Sequence, residues 1–165
     1  MIRLSLLVAY LVCLVSAQMP STTDWRGLSP LKSTRMDVER TLGSPAENRD
    51  NQRLTYYFPD VAVYFHFSSN PKCQQKLPYT SWDVPPDTVT GIDVTLRHPK
   101  KVEEIGIDLT KYKKIKGDFD VVNHYYYANP DDGFGIEVGN DYVGGYQYGP
   151  GSKQSHLRCE PTNQR

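Results

Sequence analysis

The chain has 165 residues, and its 19 Lys and Arg are balanced by 19 Asp and Glu, giving a formal net charge of zero at pH 7. No block of like charge supplies the basic surface that nucleic-acid binding requires, and the cluster Lys111, Lys113, Lys114 and Lys116 reads as a solvated face, so no nucleic-acid partner is expected. The length is enough for one domain with a proper core.

Residues 1–17 read as a signal peptide. Arg3 supplies a short positive region, Leu4 to Val15 is almost wholly apolar, and Val15-Ser16-Ala17 offers small residues for cleavage. About a dozen apolar residues fall short of the roughly 20 that span a bilayer, so no stable membrane anchor is expected. The expected location is secreted or periplasmic, after cleavage near Ala17. Cys13 follows Val12 where lipidation needs a small residue, which argues against a lipoprotein. Cleavage removes Cys13 and leaves Cys73 and Cys159, which in an exported protein read as one structural disulfide.

Residues 18–30 form an extended, polar lead-in whose Trp25 and Leu28 are expected to dock on the domain. From Leu31 to Pro45 the sequence spells a two-turn helix with both ends marked. Thr34 is an N-cap and Asp37 completes a variant of the capping box. Val38 and Leu42, four apart, share one face. Gly43 suits the left-handed C′ position and Pro45 stops any continuation. So short a helix is unstable alone and must lie on something.

Strands follow. Arg53–Phe58 and Val61–Phe67 are joined at Pro59-Asp60, and the second alternates Val61, Val63, Phe65 and Phe67 with Ala62, Tyr64 and His66. Residues 68–87 break the pattern with four prolines and are read as an insertion pinned by Cys73 and Trp82. Val89–Leu96 resumes strand. From Lys100, Val102, Ile105 and Leu109 suggest a brief helical turn weakened by Gly106. Lys111–Gly117 is a basic loop or edge. Val121–Ala128, Phe134–Val138 and Tyr142–Tyr148 are three more strands, with turns at Asp131-Asp132-Gly133 and Gly139-Asn140-Asp141.

The halves echo each other. Tyr56-Tyr57-Phe58 is matched by Tyr125-Tyr126-Tyr127, and Val89, Gly91, Ile92 and Val94 by Val143, Gly145, Tyr146 and Tyr148. The expected fold is therefore α+β, with two tandem units of a short helix packed on an antiparallel β-meander, tied by Cys73–Cys159. The first unit covers 31–99 and the second 100–165 with its tail.

The pattern Ser33-Thr34, Val38, Leu42-Gly43 and Pro45, followed by Tyr56-Tyr57-Phe58, resembles the SmpA/OmlA family. There a Ser/Thr-capped helix ends in Leu-Gly-x-Pro and a Trp/Tyr-containing strand follows. The unit in tandem is similar to the β-lactamase inhibitor proteins. Trp25-Arg26-Gly27, Leu31 to Arg35 and His156-Leu157-Arg158-Cys159 also resemble a family of secreted bacterial proteins with the same beginning and end. The chain departs from SmpA/OmlA in lacking a lipobox cysteine, and its second helix is poor. The resemblance implies a fold and a protein-binding role, with no named partner.

No chemistry is written plainly. His66, His98, His124 and His156 lie at no metal-ligand spacing, so neither metal nor cofactor is expected. Glycoside hydrolysis needs two carboxylates, for which Asp118 and Asp120, Asp131 and Asp132, and Glu103 and Glu104 are candidates, all in turns or loops. Asn129, Asp131 and Asp132 lack the spacing of a calcium loop and read as turn residues. The twelve tyrosines are more informative. Tyr57, Tyr64, Tyr126, Tyr142, Tyr146 and Tyr148 cannot all point inward, and tyrosine is favoured at protein interfaces. Cover for the sheet is their ordinary role, and a partner-binding face the functional one. The function read from the sequence is a non-catalytic module of the cell envelope or extracellular space that binds a protein through a tyrosine-rich sheet face. The alternatives are a small secreted carboxylate-based hydrolase or carbohydrate-binding protein, and a structural envelope component.

Overall fold

The computed structural model describes residues 20–49, 52–69, 82–116 and 123–159. The capped helix is α1, Arg35–Leu42. The Thr34 hydroxyl accepts from the Asp37 amide at 3.2 Å, and the Asp37 carboxylate accepts from the Thr34 amide at 2.9 Å. This capping box satisfies backbone donors that a helix start otherwise leaves open. The Thr34 hydroxyl and then its amide hold the Asp37 carboxyl below its usual range. Gly43 ends the helix at φ 79°, a backbone angle that side chains resist, and its amide donates to the Glu39 carbonyl at 2.8 Å. Val38 is wholly buried and Leu42 packs beside it.

The helix lies on one eight-stranded antiparallel sheet. Its strands are β1 (Glu47–Arg49), β2 (Arg53–Tyr57), β3 (Val61–Phe67), β4 (Val89–Lys101), β5 (Lys113–Lys116), β6 (His124–Asn129), β7 (Phe134–Gly139) and β8 (Tyr142–Tyr148). Their spatial order is β1-β2-β3-β4-β8-β7-β6-β5. Between β4 and β5 lie α2 (Val102–Ile105) and a 3₁₀ turn at Leu109–Lys111. Register builds apolar rows across the strands. Leu54, Phe65, Ile92, Tyr148 and Phe134 form one, and Tyr56, Val63, Val94, Tyr146, Ile136 and Tyr127 the next. Burying each large side chain of these rows contributes about 1.5–3 kcal/mol.

That face is covered from end to end. Trp25 of the lead-in packs with ring centroids 5.7 Å from Phe58 and 6.0 Å from Phe65, and Leu28 is buried beside it. Tyr112 covers Phe134 at 6.2 Å, and Val102, Ile105, Ile107 and Leu109 pack on the same core. The Tyr56 hydroxyl donates to the Gly43 carbonyl at 3.0 Å, fastening the end of α1 to β2.

Two parts of the expected fold are corrected. The two tandem units give way to a single sheet, because β4 and β8 pair with each other. Separate units would each expose an unpaired strand edge there. Their joining lets one core cluster run from Leu28 to Tyr148. The Cys73–Cys159 tie is also withdrawn from the fold. Cys159 is disulfide-bonded, but no second cysteine stands at disulfide distance among the described residues, and Cys73 lies outside them. The α+β class, with helices on an antiparallel sheet, stands.

Smaller differences have local causes. β1 escaped the reading because Glu47-Asn48-Arg49 has poor strand propensity. β4 runs past Leu96 and tolerates Pro99 where its pairing with β8 is interrupted between Thr95 and Lys100. α2 is a single turn with no buried residue. Of the two possibilities for the lysine cluster, the edge is the one observed, as β5. The β7–β8 turn has Asn140 at φ 50° and Asp141 at φ 65°, as a tight two-residue hairpin demands. Of the 68–87 insertion, residues 70–81 lie outside the described set. Trp82 is buried and bridged to Arg158, with the Asp83 amide donating to the Leu157 carbonyl at 2.8 Å. Residues 1–17 also lie outside the described set, and among the described residues no helix is long and apolar enough to cross a membrane.

Candidate functional site

Side chains alternate along a strand, so residues between the core rows belong to the opposite face of the sheet. One row there reads Tyr57, Ala62, Thr95, Gly145, Glu137, Tyr126 and Ile115. The next reads Thr55, Tyr64, Asp93, Gln147, Gly135, Ala128 and Lys113. α1 and the lead-in pack on the core side, and residues 152–157 approach only the end of this face that Arg53, Asp93 and Gln147 share with them.

Four of the six singled-out tyrosines stand on it. Tyr57 and Tyr142 are 49% and 43% exposed, and Tyr64 and Tyr126 are half-buried. Three are held in place. The Tyr57 hydroxyl donates to Glu47 Oε1 at 2.9 Å, and the Arg97 guanidinium lies 5.5 Å from its ring centre. The bond to Glu47, with burial adding to it, pushes the Tyr57 phenol above its ordinary range. Arg53 lies 5.6 Å from the Tyr64 ring, and Tyr126 meets the His124 ring edge-on at 5.2 Å. Aromatic side chains already ordered before binding lose little rotamer freedom on docking.

The other two, Tyr146 and Tyr148, are core residues, which corrects their expected place on the binding face. Tyr148 is 3% exposed, and Tyr146 stacks on Phe134 with centroids 6.0 Å apart. Burial pushes both phenols up. The cause is one extra residue. Glu137 pairs with Gly145 but Val138 pairs with Val143, so Gly144 bulges and the alternation of β8 reverses. Tyr142, an even number of residues away, therefore lies on the face opposite Tyr146 and Tyr148.

Between the tyrosines of β2 and β3 and those of β6 and β8 the face is low. Ala62, Thr95, Gly145 and Gly135 provide little side-chain height. At Gly145 none is tolerated, because a Cβ there would fall 2.5 Å from the Val94 carbonyl oxygen. From β2 to β6 is five strand steps, about 24 Å. These small residues lie between aromatic flanks, with Asp93, Gln147 and Glu137 standing beside them in the same rows. At the end of the face where β3, β4, β7 and β8 meet residues 149–158 lies a cleft of about 1080 Å³.

Two histidine–carboxylate pairs also occupy the face: His66 Nε2 is 2.8 Å from Asp93 Oδ2, and His124 Nε2 is 2.8 Å from Glu137 Oε1. The partnership of His66 with Asp93 is set by the β3–β4 register, which the sequence pattern does not reveal. No group of three metal-ligating side chains gathers among the described residues. Asp93 is the one carboxylate among the described residues lining the cleft, so the two-carboxylate arrangement of a glycosidase is not assembled there. Asp131 accepts from the Ser152 hydroxyl and Asp132 from the Asn129 amide, which makes them turn residues. Glu103 and Glu104 are exposed on α2, and Asp118 and Asp120 lie outside the described residues.

No family model matches the chain, and neither a curated protein nor a solved structure matches it. The SmpA/OmlA resemblance is therefore not supported. The residues that suggested it, Thr34, Asp37, Val38, Leu42, Gly43 and Pro45, are accounted for by capping and packing of α1.

Proposed function

We propose that this protein is an exported, non-catalytic module that binds another protein through the open face of its sheet. The observation that carries the reading is the set of tyrosines on one face of the sheet, Tyr57 and Tyr64 on one side and Tyr126 and Tyr142 on the other, with small residues between them. Tyrosine combines a large apolar surface with a polar tip and is enriched at the energetic centre of interfaces. The low floor of Ala62, Thr95 and Gly145 leaves room for a loop of the partner to descend between them. Export rests on the apolar segment Leu4 to Val15 and the small residues ending at Ala17.

The test compares wild type with Tyr57→Ala/Tyr126→Ala as baits in envelope and culture-supernatant extracts, with bound proteins quantified by mass spectrometry. A protein recovered by wild type and reduced at least about tenfold by the variant supports the reading, since two interface tyrosines are worth that much. Equal recovery of every bound protein by both baits contradicts it.

A further inference from the structure

We propose that the cleft beside residues 149–158 takes a carboxylate-rich segment of a partner polypeptide, a refinement that rests on the protein-binding reading above. Among the described residues its lining holds Arg49, Arg53 and Arg158, and against them one carboxylate, Asp93, which is already engaged with His66. The described lining is therefore positive, in a chain whose formal net charge is zero. Arg49 is paired with Glu47 at 3.1 Å. Arg53 and Arg158 have no carboxylate within 4 Å among the described residues.

Both of these arginines lie against aromatic rings: Arg53 is 5.6 Å from the centre of Tyr64, and Arg158 is 5.3 Å from that of Trp82. A guanidinium held against a ring keeps its fork of N–H donors free for a carboxylate, which it binds through two parallel hydrogen bonds. Trp82 is itself 6% exposed and backbone-bridged to Arg158, so one of the two platforms is fixed before any ligand arrives. The volume exceeds the roughly 300–1,000 Å³ of small-molecule pockets and suits several residues of extended chain. Gln52 and Gln147 on the same lining offer amides to such a chain's backbone. A sulfated polysaccharide or nucleic acid needs a longer basic track than three arginines provide.

The experiment is fluorescence anisotropy of the full exported chain with fluorescein-labelled hexaglutamate, against labelled hexalysine and a heparin hexasaccharide. Wild type is expected to bind hexaglutamate in preference to both, with affinity falling as salt is added. Arg53→Gln/Arg158→Gln is expected to weaken it at least about tenfold while leaving the thermal midpoint unchanged. Arg53→Lys/Arg158→Lys, which keeps charge and loses the fork, should fall between the two. Hexaglutamate affinity equal in wild type and the glutamine variant, equal binding of hexalysine, or preference for heparin overturns the proposal. Tyr57→Ala/Tyr126→Ala separates the two readings, because those tyrosines lie outside the cleft lining. Hexaglutamate binding unaltered by that variant, together with unaltered partner recovery, upholds the cleft and contradicts docking on the tyrosine face.

Discussion

Tyr57 on β2 and Tyr126 on β6 occupy one row across the sheet, with only Ala62, Thr95, Gly145 and Glu137 between them. Neither is needed to fill the core, which is closed on the opposite face by α1, Trp25 and residues 102–112. Two tyrosines held apart over a low floor form a surface shaped from outside the core's requirements.

The two faces predict opposite responses to the same substitution. Tyr148→Ala removes a buried ring and is expected to destabilise by about 3–5 kcal/mol, as large-to-small aromatic changes in cores do. Tyr57→Ala removes a half-exposed one and is expected to stay within about 1 kcal/mol. Urea midpoints of the two variants check this, and similar losses would place both residues on one side of the core.

The capping box gives a pH-dependent prediction. Hydrogen bonds from the Thr34 hydroxyl, and then from its amide, hold the Asp37 carboxyl below the usual carboxylate range in the fold. A carboxyl with a lowered folded pKa contributes stability that is present above its unfolded value and lost as pH falls through the folded one. Asp37→Asn should therefore flatten the acid limb of the stability curve below about pH 4 and change its slope little near neutrality. Thr34→Ala should cost about 1 kcal/mol at pH 7. Thermal midpoints measured from pH 2 to pH 7 read both effects.

Gly145 and Gly91 should differ although both lie in strands at the centre of the sheet. A Cβ at Gly145 meets the Val94 carbonyl at 2.5 Å, whereas at Gly91 its nearest neighbours are 3.8 Å away. Gly145→Ala is expected to cost about 1–3 kcal/mol through forced backbone movement. Gly91→Ala is expected to be tolerated. Chemical denaturation of the pair checks the close approach of β8 to β4.

A single core also implies a single transition. Leu54→Ala on β2 and Ile136→Ala on β7 each remove a fully buried side chain, one from each end of the sheet. Each should lower the stability by about 2–5 kcal/mol and shift the same unfolding midpoint, with one cooperative step retained. Two separable steps in calorimetry would mean that the halves fold apart.

Local features were the legible part of the sequence. Thr34, Asp37, Gly43 and Pro45 mark the ends of α1 because capping is decided within a few residues. Val63, Phe65, Ile92 and Val94 mark strand faces because alternation needs no partner to be seen. What was hidden depends on pairing. The merger of β4 with β8 requires contact between residues about 50 apart in the chain, beyond the reach of periodicity. The bulge at Gly144 reversed the facing of Tyr146 and Tyr148, and a glycine pair in a strand signals such a break only weakly. Arg53, His66, Asp93 and Arg158 are scattered singly along the chain, and only the folded sheet and tail bring them to one cleft.

The most direct test of the proposed docking on the open sheet face is site-specific photo-crosslinking. Benzoylphenylalanine is placed singly at Tyr57, at Tyr126 and, on the covered side, at exposed Glu39 of α1, and the cells producing the protein are irradiated together with their culture medium. A common adduct from positions 57 and 126 and none from 39 is the expected result. The same adducts from all three positions, or adducts from 39 alone, would contradict docking on the open face of the sheet.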